Sequence, residues 1–332
     1  MDAADAGTLV STFYRLVKMA TSQPAEVRIP IEPRDHYRWE PQDCPICQRP
    51  PTKFLGKRGG SAHRTGLGVE CDIWRCGQCG LIFPNPMPVP IHGLEQHYGV
   101  DSADYFQHHD CDTKTSYAHF FLKEAVALCG KKGRLLDIGA GRGEFLRAAV
   151  DDGWEAVGIE PSPQFAKYAS QHSGVAVIPK PIEQCDFEHG TFDVILLSGV
   201  LEHLYHPDDT IREIARVLRK GGALFLDVPN EAGLYFRAGN FYEHLRRRNW
   251  VVNLAPTFPP YHVFGFTPRS LRSLLAKHGL TPAKWRVYGG HAMVPASGGL
   301  MGSLEQGAAR AVTALSKFGS LGTYIETWAI RS

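Results

Sequence analysis

Residues 135–143 read L-L-D-I-G-A-G-R-G, with three glycines directly behind a short apolar run that ends in an acid. Leu135–Ile138 has the continuous apolar character of a buried parallel strand, and helical periodicity resumes over Glu144–Val150. The glycines therefore lie on a strand-to-helix turn, where they permit positive φ and close approach of a ligand to the main chain. Because the amides at the helix start favour polar or anionic groups, this turn predicts a nucleotide-like ligand.

The glycine spacing discriminates between two classes of nucleotide ligand. A dinucleotide fingerprint requires a glycine where this chain has Glu144, whose carboxylate would face the pyrophosphate. A second acid, Glu160, ends the next apolar run 23 residues beyond Asp137. A carboxylate at that strand end can accept hydrogen bonds from both ribose hydroxyls. The pattern therefore disfavours NAD and leaves a nucleotide-like ligand whose ribose Glu160 can bind.

Beyond this turn, short apolar runs alternate with amphipathic helical segments. Such alternation predicts an α/β fold with parallel strands joined by right-handed crossovers. Residues 229–265 are predicted to be irregular and aromatic. The predicted strands are Arg134–Ile138, Ala156–Ile159, Val175–Ile178, Phe192–Leu197, Ala223–Val228 and Tyr324–Ile330, and the predicted helices are Gly143–Asp151, Pro163–Ser170, Pro207–Val217 and Pro268–His278.

The sequence D-x-G-x-G-x-G, with Asp137 two residues before the first glycine, resembles motif I of the class I S-adenosylmethionine (SAM) methyltransferases. SAM has no phosphate, and acids can accept hydrogen bonds from its amino group. Later segments resemble the same family in the same order: Phe192–Ile195 and Ser198–Leu204 look like its fourth strand and the following turn, and Leu218–Ala223 like its turn into strand five. The resemblance covers roughly residues 117–285 and implies a Rossmann-like doubly wound seven-stranded sheet.

The resemblance also implies which residues bind the cofactor SAM and its product S-adenosylhomocysteine. The loop glycines line the cofactor, Asp137 supports the loop and the methionine moiety, and Glu160 binds the ribose. The adenine lies near the segment after the third strand, and the methionine end lies near the end of the fourth. The implied contacts beyond these two acids are Gly139, Gly141, Gly143, Ile182, Glu183 and Ser198.

Four of the eight cysteines form two C-x-x-C pairs, Cys44/Cys47 and Cys76/Cys79. Two such knuckles supply four thiolates for a tetrahedral Zn²⁺ site, with unligated thiols or redox dithiols as the alternatives. A zinc ribbon followed by Leu81–Pro86 resembles the front end of many bacterial methyltransferases acting on small molecules, including sugars and natural products. On that resemblance, the ribbon braces the active site or forms part of its wall.

Two of the fifteen histidines are candidates for moving the acceptor's proton. A hydroxyl or an acidic carbon benefits from a base with a pKa near neutrality, which is the range of histidine. His203, in L-E-H-L, and His262, in P-P-Y-H-V-F-G-F-T, lie where the strand-four loop and the later cap are expected to converge on the methyl group. The alternative for each is a structural histidine, packed under the cofactor loop or bonded to a buried carbonyl.

The bulk composition narrows the classes of partner. The 332 residues are 43% hydrophobic and 21% charged, and the formal net charge of +2 is too small to indicate a long phosphate backbone as partner. No secretory signal or apolar span of membrane length is found, so we expect a cytoplasmic protein without a membrane partner. The predicted organisation is an N-terminal arm (1–40), a zinc ribbon (41–90), a SAM-binding core (91–230) and a substrate-side cap with C-terminal elements that complete the sheet (231–332). Within the arm, Gly7–Ala20 is either a helix or part of a loosely ordered segment.

Together these features predict methyl transfer from SAM to a small-molecule acceptor, most simply at a hydroxyl oxygen and with histidine assistance. Carbon or nitrogen methylation of a sugar or natural product uses the same cofactor fold. An RNA methyltransferase is the alternative substrate class, for which Arg246–Arg248 is the basic run. A zinc-ribbon binding module with a decayed methyltransferase domain is the nonenzymatic alternative, because Pro181 replaces an acid that often contacts the adenine. The N-terminal arm leaves a homodimer open.

Overall fold

The computed structural model describes residues 34–91, 111–289, 299–316 and 321–332. The helix predicted for Gly7–Ala20 lies outside these residues. The strands are β1 Tyr37–Glu40, β2 Lys53–Arg58, β3 Cys71–Arg75, β4 Ile82–Pro84, β5 Met87–Pro90, β6 Arg134–Ile138, β7 Glu155–Ile159, β8 Val177–Ile178, β9 Phe192–Ser198, β10 Leu218–Pro229, β11 Leu280–Tyr288 and β12 Tyr324–Arg331. The α-helices are α1 Cys111–Cys129, α2 Glu144–Asp151, α3 Pro163–Ser173, α4 Pro207–Val217, α5 Leu234–Leu245, α6 Pro268–Lys277 and α7 Gly299–Leu315.

Seven strands form one sheet in the order β11-β12-β10-β9-β6-β7-β8. β8, β7, β6, β9 and β10 run parallel, whereas β12 runs antiparallel to both β10 and β11. The strand order reverses between β6 and β9, and ligands of such sheets bind outside the carboxyl ends of the strands at this switch point. The predicted Rossmann-like, seven-stranded α/β fold is confirmed.

Local sequence signals fix the ends of several helices. Ser162 caps α3, accepting a hydrogen bond from the Phe165 N–H, and Pro163 follows at the first helical position. Thr267 and Ser270 form a reciprocal capping box at the start of α6. Among the described residues, no helix is long and apolar enough to cross a membrane.

One prediction for the cap needs correction, and one strand of this region was missed. Residues 229–265 were expected to be irregular, but Leu234–Leu245 forms α5. Its glycine, asparagine and aromatic residues obscure the apolar period, and packing against α7 stabilises the helix instead. The strand β11 was not predicted, because it lies at the sheet edge and most of its side chains are partly or fully exposed.

The cysteine-rich segment contributes two small sheets that dock on the rest of the molecule. β2, β3 and β4 form a three-stranded antiparallel sheet. β1 pairs with the proline-rich β5, so the end of the predicted N-terminal arm joins this unit. Ile82 and Gly265 exchange two backbone hydrogen bonds of 3.0 and 2.7 Å. Leu81 and Phe83 also belong to the same buried cluster as Leu136 of the central sheet, so the ribbon and the α/β unit share one core.

The turn into β12 depends on a glycine that lies against β11. A Cβ added at Gly322 would lie 2.2 Å from the carbonyl oxygen of Tyr288 and 2.6 Å from its nitrogen. We expect Gly322→Ala to destabilise the protein by about 2 kcal/mol or more, because the backbone itself must move. Urea unfolding measures this loss. Gly307→Ala in α7 is the control, since no atom lies within 4 Å of its added methyl group. Equal stability of Gly322→Ala and the wild type would contradict the packing of this turn.

Candidate functional site

The glycine loop after β6 has the conformation that its sequence requires. Gly139, Gly141 and Gly143 have φ values of 75°, 55° and 84°, in the left-handed region that favours glycine. A Cβ at Gly139 would lie 2.4 Å from Cγ2 of Val200, and one at Gly143 would lie 2.8 Å from the carbonyl oxygen of Ala169. The loop is therefore pressed against both the turn after β9 and the helix α3.

Two acids flank this loop at the carboxyl ends of neighbouring strands. Asp137 on β6 is buried, and its partner in the register of β7 is Gly158, two residues before Glu160. Oε1 of Glu160 accepts a hydrogen bond of 3.2 Å from the Ser162 N–H. Burial raises the pKa of Glu160, although the backbone N–H groups of Ser162 and Gly141 act to lower it. The Glu160 carboxyl group therefore lies against the glycine loop, at Gly141.

The remaining predicted cofactor residues lie on the same edge of the sheet. Ile182 is buried in the core and begins a 3-10 helix, while the exposed Glu183 accepts a hydrogen bond from the hydroxyl of Thr210. Ser198 ends β9 and pairs with Asp227 at the end of β10. The roles of these residues toward adenine and methionine stay predictions.

The carboxyl groups around the crevice suit SAM better than they suit a phosphate-bearing cofactor. Asp137, Glu144 and Glu160 surround the loop with carboxyl groups, which suit ribose hydroxyls and an ammonium group. Oε1 of Glu144 is buried and lacks a hydrogen-bond partner among the described residues, although the Arg142 Nε lies 3.5 Å from it. A pyrophosphate would be repelled by this acidic set.

The two predicted histidines meet beside the glycine loop. The ring centroids of His203 and His262 are 4.8 Å apart, with the rings nearly perpendicular at 73°. The Nε2 of His262 lies 3.9 Å from Oε1 of Glu202, and one donor atom from each of these three residues lies within 4.8 Å of the others. Val200, two residues before Glu202, contacts Gly139. The cluster of Glu202, His203 and His262 therefore lies next to the turn that touches the cofactor loop.

Burial keeps this cluster in its uncharged form. Burial lowers the pKa of His262 to about 3, and the nearby His203 lowers it further. Burial also lowers the pKa of His203 to about 4, although hydrogen bonds with the Tyr261 and Pro260 backbone act to raise it. The pKa of Glu202 is raised to about 8, chiefly by burial and also by the charges of Asp227 and Glu231. The imidazole rings are therefore neutral at pH 7, but their pKa values lie below the near-neutral range that was expected for a histidine base.

Sequence reasoning missed the buried acids behind the histidines. Glu202 and Glu231 are 3% and 4% exposed, and Asp227 is 7% exposed. Oε2 of Glu202 has no hydrogen-bond partner among the residues that the structure describes. The signal for Glu202 was its place beside His203 in L-E-H-L, but the direction of its side chain follows from the 3-10 turn Leu201–His203.

The two C-x-x-C segments fold into matching knuckles. In each, the N–H of the first cysteine donates to the carbonyl five residues later, at 2.8 Å in both cases. The carbonyl of that cysteine accepts from the N–H four residues later, at 2.7 Å for Cys44 and 3.0 Å for Cys76. The residue after the second cysteine takes positive φ, 53° at Gln48 and 84° at Gly80. The knuckles therefore present their thiols in equivalent ways.

The four thiols have the spacing and surroundings of a metal site. Their Sγ atoms lie within 4.8 Å of one another, and those of Cys44 and Cys79 are 3.6 Å apart. Tetrahedral Zn²⁺ with bonds of about 2.3 Å separates its sulfur ligands by about 3.8 Å. The hydrogen bond from the Cys79 thiol lowers the pKa of Cys44 to about 6, while burial raises that of Cys47. The donor set fits Zn²⁺.

A family profile described as "Methyltransferase domain" matches residues 107–284, more than half of the chain. The chain belongs to this family, the class I SAM-dependent methyltransferases. This agrees with the sheet order and the glycine loop after β6.

Similar proteins differ in the acceptors that their names give. The chain is 31% identical to the tRNA U34 carboxymethyltransferase of Saccharophagus degradans over 106 residues, 30% of this chain and 33% of that protein. It is 28% identical to the mitochondrial ubiquinone biosynthesis O-methyltransferase of Mus musculus over 177 residues, 51% of this chain and 45% of that protein. It thus spans from a third to about half the length of these relatives. A SAM-dependent methyltransferase structure from Archaeoglobus fulgidus covers 65% of the chain and 94% of its own length, with 17% identity and a TM-score of 0.45.

Removing the charge of Glu160 tests the predicted ribose contact. We expect Glu160→Gln to raise the dissociation constant for SAM about 10- to 100-fold, since hydrogen bonds to a charged acceptor contribute about 1.5–3 kcal/mol. Isothermal titration calorimetry measures this change. Glu155→Gln is the matched control, because Glu155 begins the same strand with a side chain that is 81% exposed. An unchanged affinity in Glu160→Gln would refute the assignment.

Removing one thiol tests the metal site. We expect the wild-type protein to carry zinc and Cys76→Ser to lose it and unfold at a lower temperature, because a structural zinc site contributes directly to folding. Elemental analysis and thermal unfolding measure both effects. Cys129→Ser, a partly buried cysteine outside the cluster, is the control. Zinc content that is equal in Cys76→Ser and wild type rules out the four-cysteine site.

Proposed function

We propose that this protein transfers a methyl group from SAM to a hydroxyl oxygen of a small-molecule acceptor. The observation that carries the proposal is the meeting of Glu202, His203 and His262 next to the glycine loop. Methyl transfer is an in-line displacement, so catalysis depends first on aligning the acceptor with the methyl group. A hydroxyl additionally requires a nearby base, and neutral histidines stand where the acceptor would approach.

Each part of the crevice has a proposed task. Bound along the loop, SAM supplies an electrophilic methyl group on its sulfonium. Gly139, Gly141 and Gly143 allow close approach of the cofactor, Asp137 and Glu160 orient it, and Ser198 borders its methionine end. The adenine lies by the segment that contains Ile182 and Glu183. These assignments rest on family membership and on the shared carboxyl edge of β6, β7 and β9.

We propose that His262 accepts the acceptor's hydroxyl proton as the methyl group is transferred. Its ring is neutral because burial lowers its pKa to about 3, so its lone pair is available. Such a pKa makes an isolated imidazole a weak base. In its carboxylate form Glu202, whose Oε1 lies 3.9 Å from Nε2, offsets this weakness because its negative charge stabilises the ring once it has taken the acceptor's proton. His203 packs perpendicular to His262 and orients the ring.

The zinc ribbon has a structural role in this proposal. Cys44, Cys47, Cys76 and Cys79 hold Zn²⁺, and a site with four thiolate ligands has no open position for catalysis. The metal fixes the knuckle that leads into Leu81–Phe83, which packs in the core beneath the site. The ribbon therefore supports the cap segment that carries His262.

RNA is the alternative acceptor, because a similar protein is named a tRNA U34 carboxymethyltransferase. The basic run offers limited support for it. Arg248 lies 3.4 Å from Glu243 and over the ring of Trp250, and Arg246 lies over Tyr242. These contacts are explained by local structure without a phosphate backbone.

Methyl transfer from radiolabelled SAM separates the acceptor classes. We expect label in methyl ethers formed from a panel of hydroxylated small molecules, and none in acid-precipitated tRNA. His262→Gln should lower kcat about 10²- to 10⁴-fold, the usual contribution of a general base, while leaving the affinity for SAM unchanged.

His206→Gln is the matched control, since His206 is exposed in the same turn region. Label found only in tRNA supports the alternative. Full activity of His262→Gln would remove this histidine from the mechanism, and failure of the wild type to bind SAM would remove the function altogether.

A further inference from the structure

A cavity of about 310 Å³ lies where the ribbon meets the cap helices. The ribbon lines it with Arg58 at the end of β2 and with residues 62–65 of the following segment. Residues of α5, α7 and the segment 250–252 complete it. This volume suits a small organic molecule, and the proposed function leaves the acceptor's chemical class open.

The helices leave a narrow apolar slot. Ala238 and Gly239 of α5 and Ala308 and Ala309 of α7 all line the cavity. Small side chains on two neighbouring helices leave room between them, and Tyr242 is among the aromatic residues at the cavity wall. Such walls favour a flat, apolar molecular body.

Arg58 brings a charge into this apolar cavity without a carboxylate to match it. Its Nε donates to the carbonyl of Leu254 at 3.0 Å, and one terminal nitrogen lies 3.5 Å from the carbonyl of Val251. Among the residues that the structure describes, no carboxylate lies within ion-pair distance of Arg58, although the charges of Glu231 and Glu243 act on it from further away. Burial lowers its pKa, which reflects the cost of holding the charge there. An anionic ligand group would offset that cost.

The other charged residues leave the cavity positive. Glu243 lies 3.4 Å from Arg64 and 3.4 Å from Arg248, so its charge is shared between two arginines. Burial, followed by the charges of Arg58 and Arg64, lowers the pKa of His63 to about 4. His63 is therefore neutral at pH 7, and the charges of Arg58 and Arg64, which add to the effect of burial, would attract an anion.

The charged end of the cavity is linked to the backbone of His262 through residues 254 and 255. A Cβ at Gly265 would lie 2.5 Å from Glu231 and 3.0 Å from Leu254, the residue whose carbonyl binds Arg58. The next residue in this segment, Ala255, donates its N–H to the carbonyl of His262 at 3.2 Å. One short segment thus holds both Arg58 and His262.

From this juxtaposition we infer that the cavity binds the acceptor, and that the acceptor is a planar apolar molecule with a hydroxylated, anionic head. The head binds Arg58 and faces His262, and the apolar body fills the slot between α5 and α7. This inference rests on the proposed function, because it assigns the methylated hydroxyl to the head. The cavity thus supplies the chemical class of the acceptor, which the proposed function leaves open.

A matched pair of probes tests the class. 3-Hydroxy-2-naphthoate carries a carboxylate beside its hydroxyl, and 3-hydroxy-2-naphthamide has the same shape without the charge. We expect the wild-type protein, saturated with S-adenosylhomocysteine, to bind the naphthoate at least tenfold more tightly than the naphthamide. Arg58→Met should reduce that ratio to about one, and Ala309→Phe should weaken both probes at least tenfold by filling the slot. Ala311→Phe is the control, because Ala311 is exposed on the same helix. Calorimetry measures binding, and thermal unfolding checks that each variant is folded.

The outcomes separate this inference from the proposed function. Equal binding of the two probes to wild type, or unchanged binding in Ala309→Phe, overturns the cavity assignment even where methyl transfer to other hydroxyls proceeds. Charge-dependent binding that requires Arg58 and is blocked by Ala309→Phe supports it, whether or not the naphthoate is methylated. Loss of SAM binding by the wild type overturns the proposed function and the role of the bound molecule as acceptor, while probe binding measured without S-adenosylhomocysteine still tests whether the cavity takes an anionic, planar molecule.

Discussion

The contact between Gly139 and Val200 is the constraint on which the site depends. The loop can approach the turn after β9 only because Gly139 lacks a Cβ, which would lie 2.4 Å from the valine side chain. The N–H groups of Gly139 and Ala140 both donate to the Ile159 carbonyl, which fixes the loop on β7. The cofactor loop, the ribose-side acid and the turn that carries Glu202 and His203 are therefore held as one unit.

The ribbon connects this unit to the cap segment that carries His262. It shares a buried cluster with the central sheet, and Ile82 pairs with Gly265 in the segment that follows His262. Arg58 reaches the carbonyls of the same cap segment. Contacts that stabilise the ribbon therefore also stabilise the position of the proposed base, although the four cysteines lie outside the proposed reaction site. This arrangement explains why a small module without an open coordination position belongs to the architecture.

Elements with a strong local periodicity can be predicted from the sequence, whereas features that depend on contacts between distant residues cannot. The limits of β6 and α4 agree with prediction because their apolar patterns are strong, whereas the aromatic helix α5 and the exposed edge strand β11 lack such patterns. His203 and His262 lie close together, as expected for the strand-four turn and the later cap, and their convergence on the methyl group stays a prediction. The contact of Arg58 with Leu254, 196 positions later, depends on tertiary packing.

The central claim is that the crevice at the carboxyl ends of β6, β7 and β9 holds a nucleoside sulfonium beside a proton acceptor. A crystal structure with S-adenosylhomocysteine bound tests it most directly. The account predicts ribose hydroxyls on Glu160, the homocysteine end near Ser198, and the sulfur facing an open space bordered by His262. A nucleoside bound elsewhere, or a sulfur separated from His262 by packed protein, would contradict it.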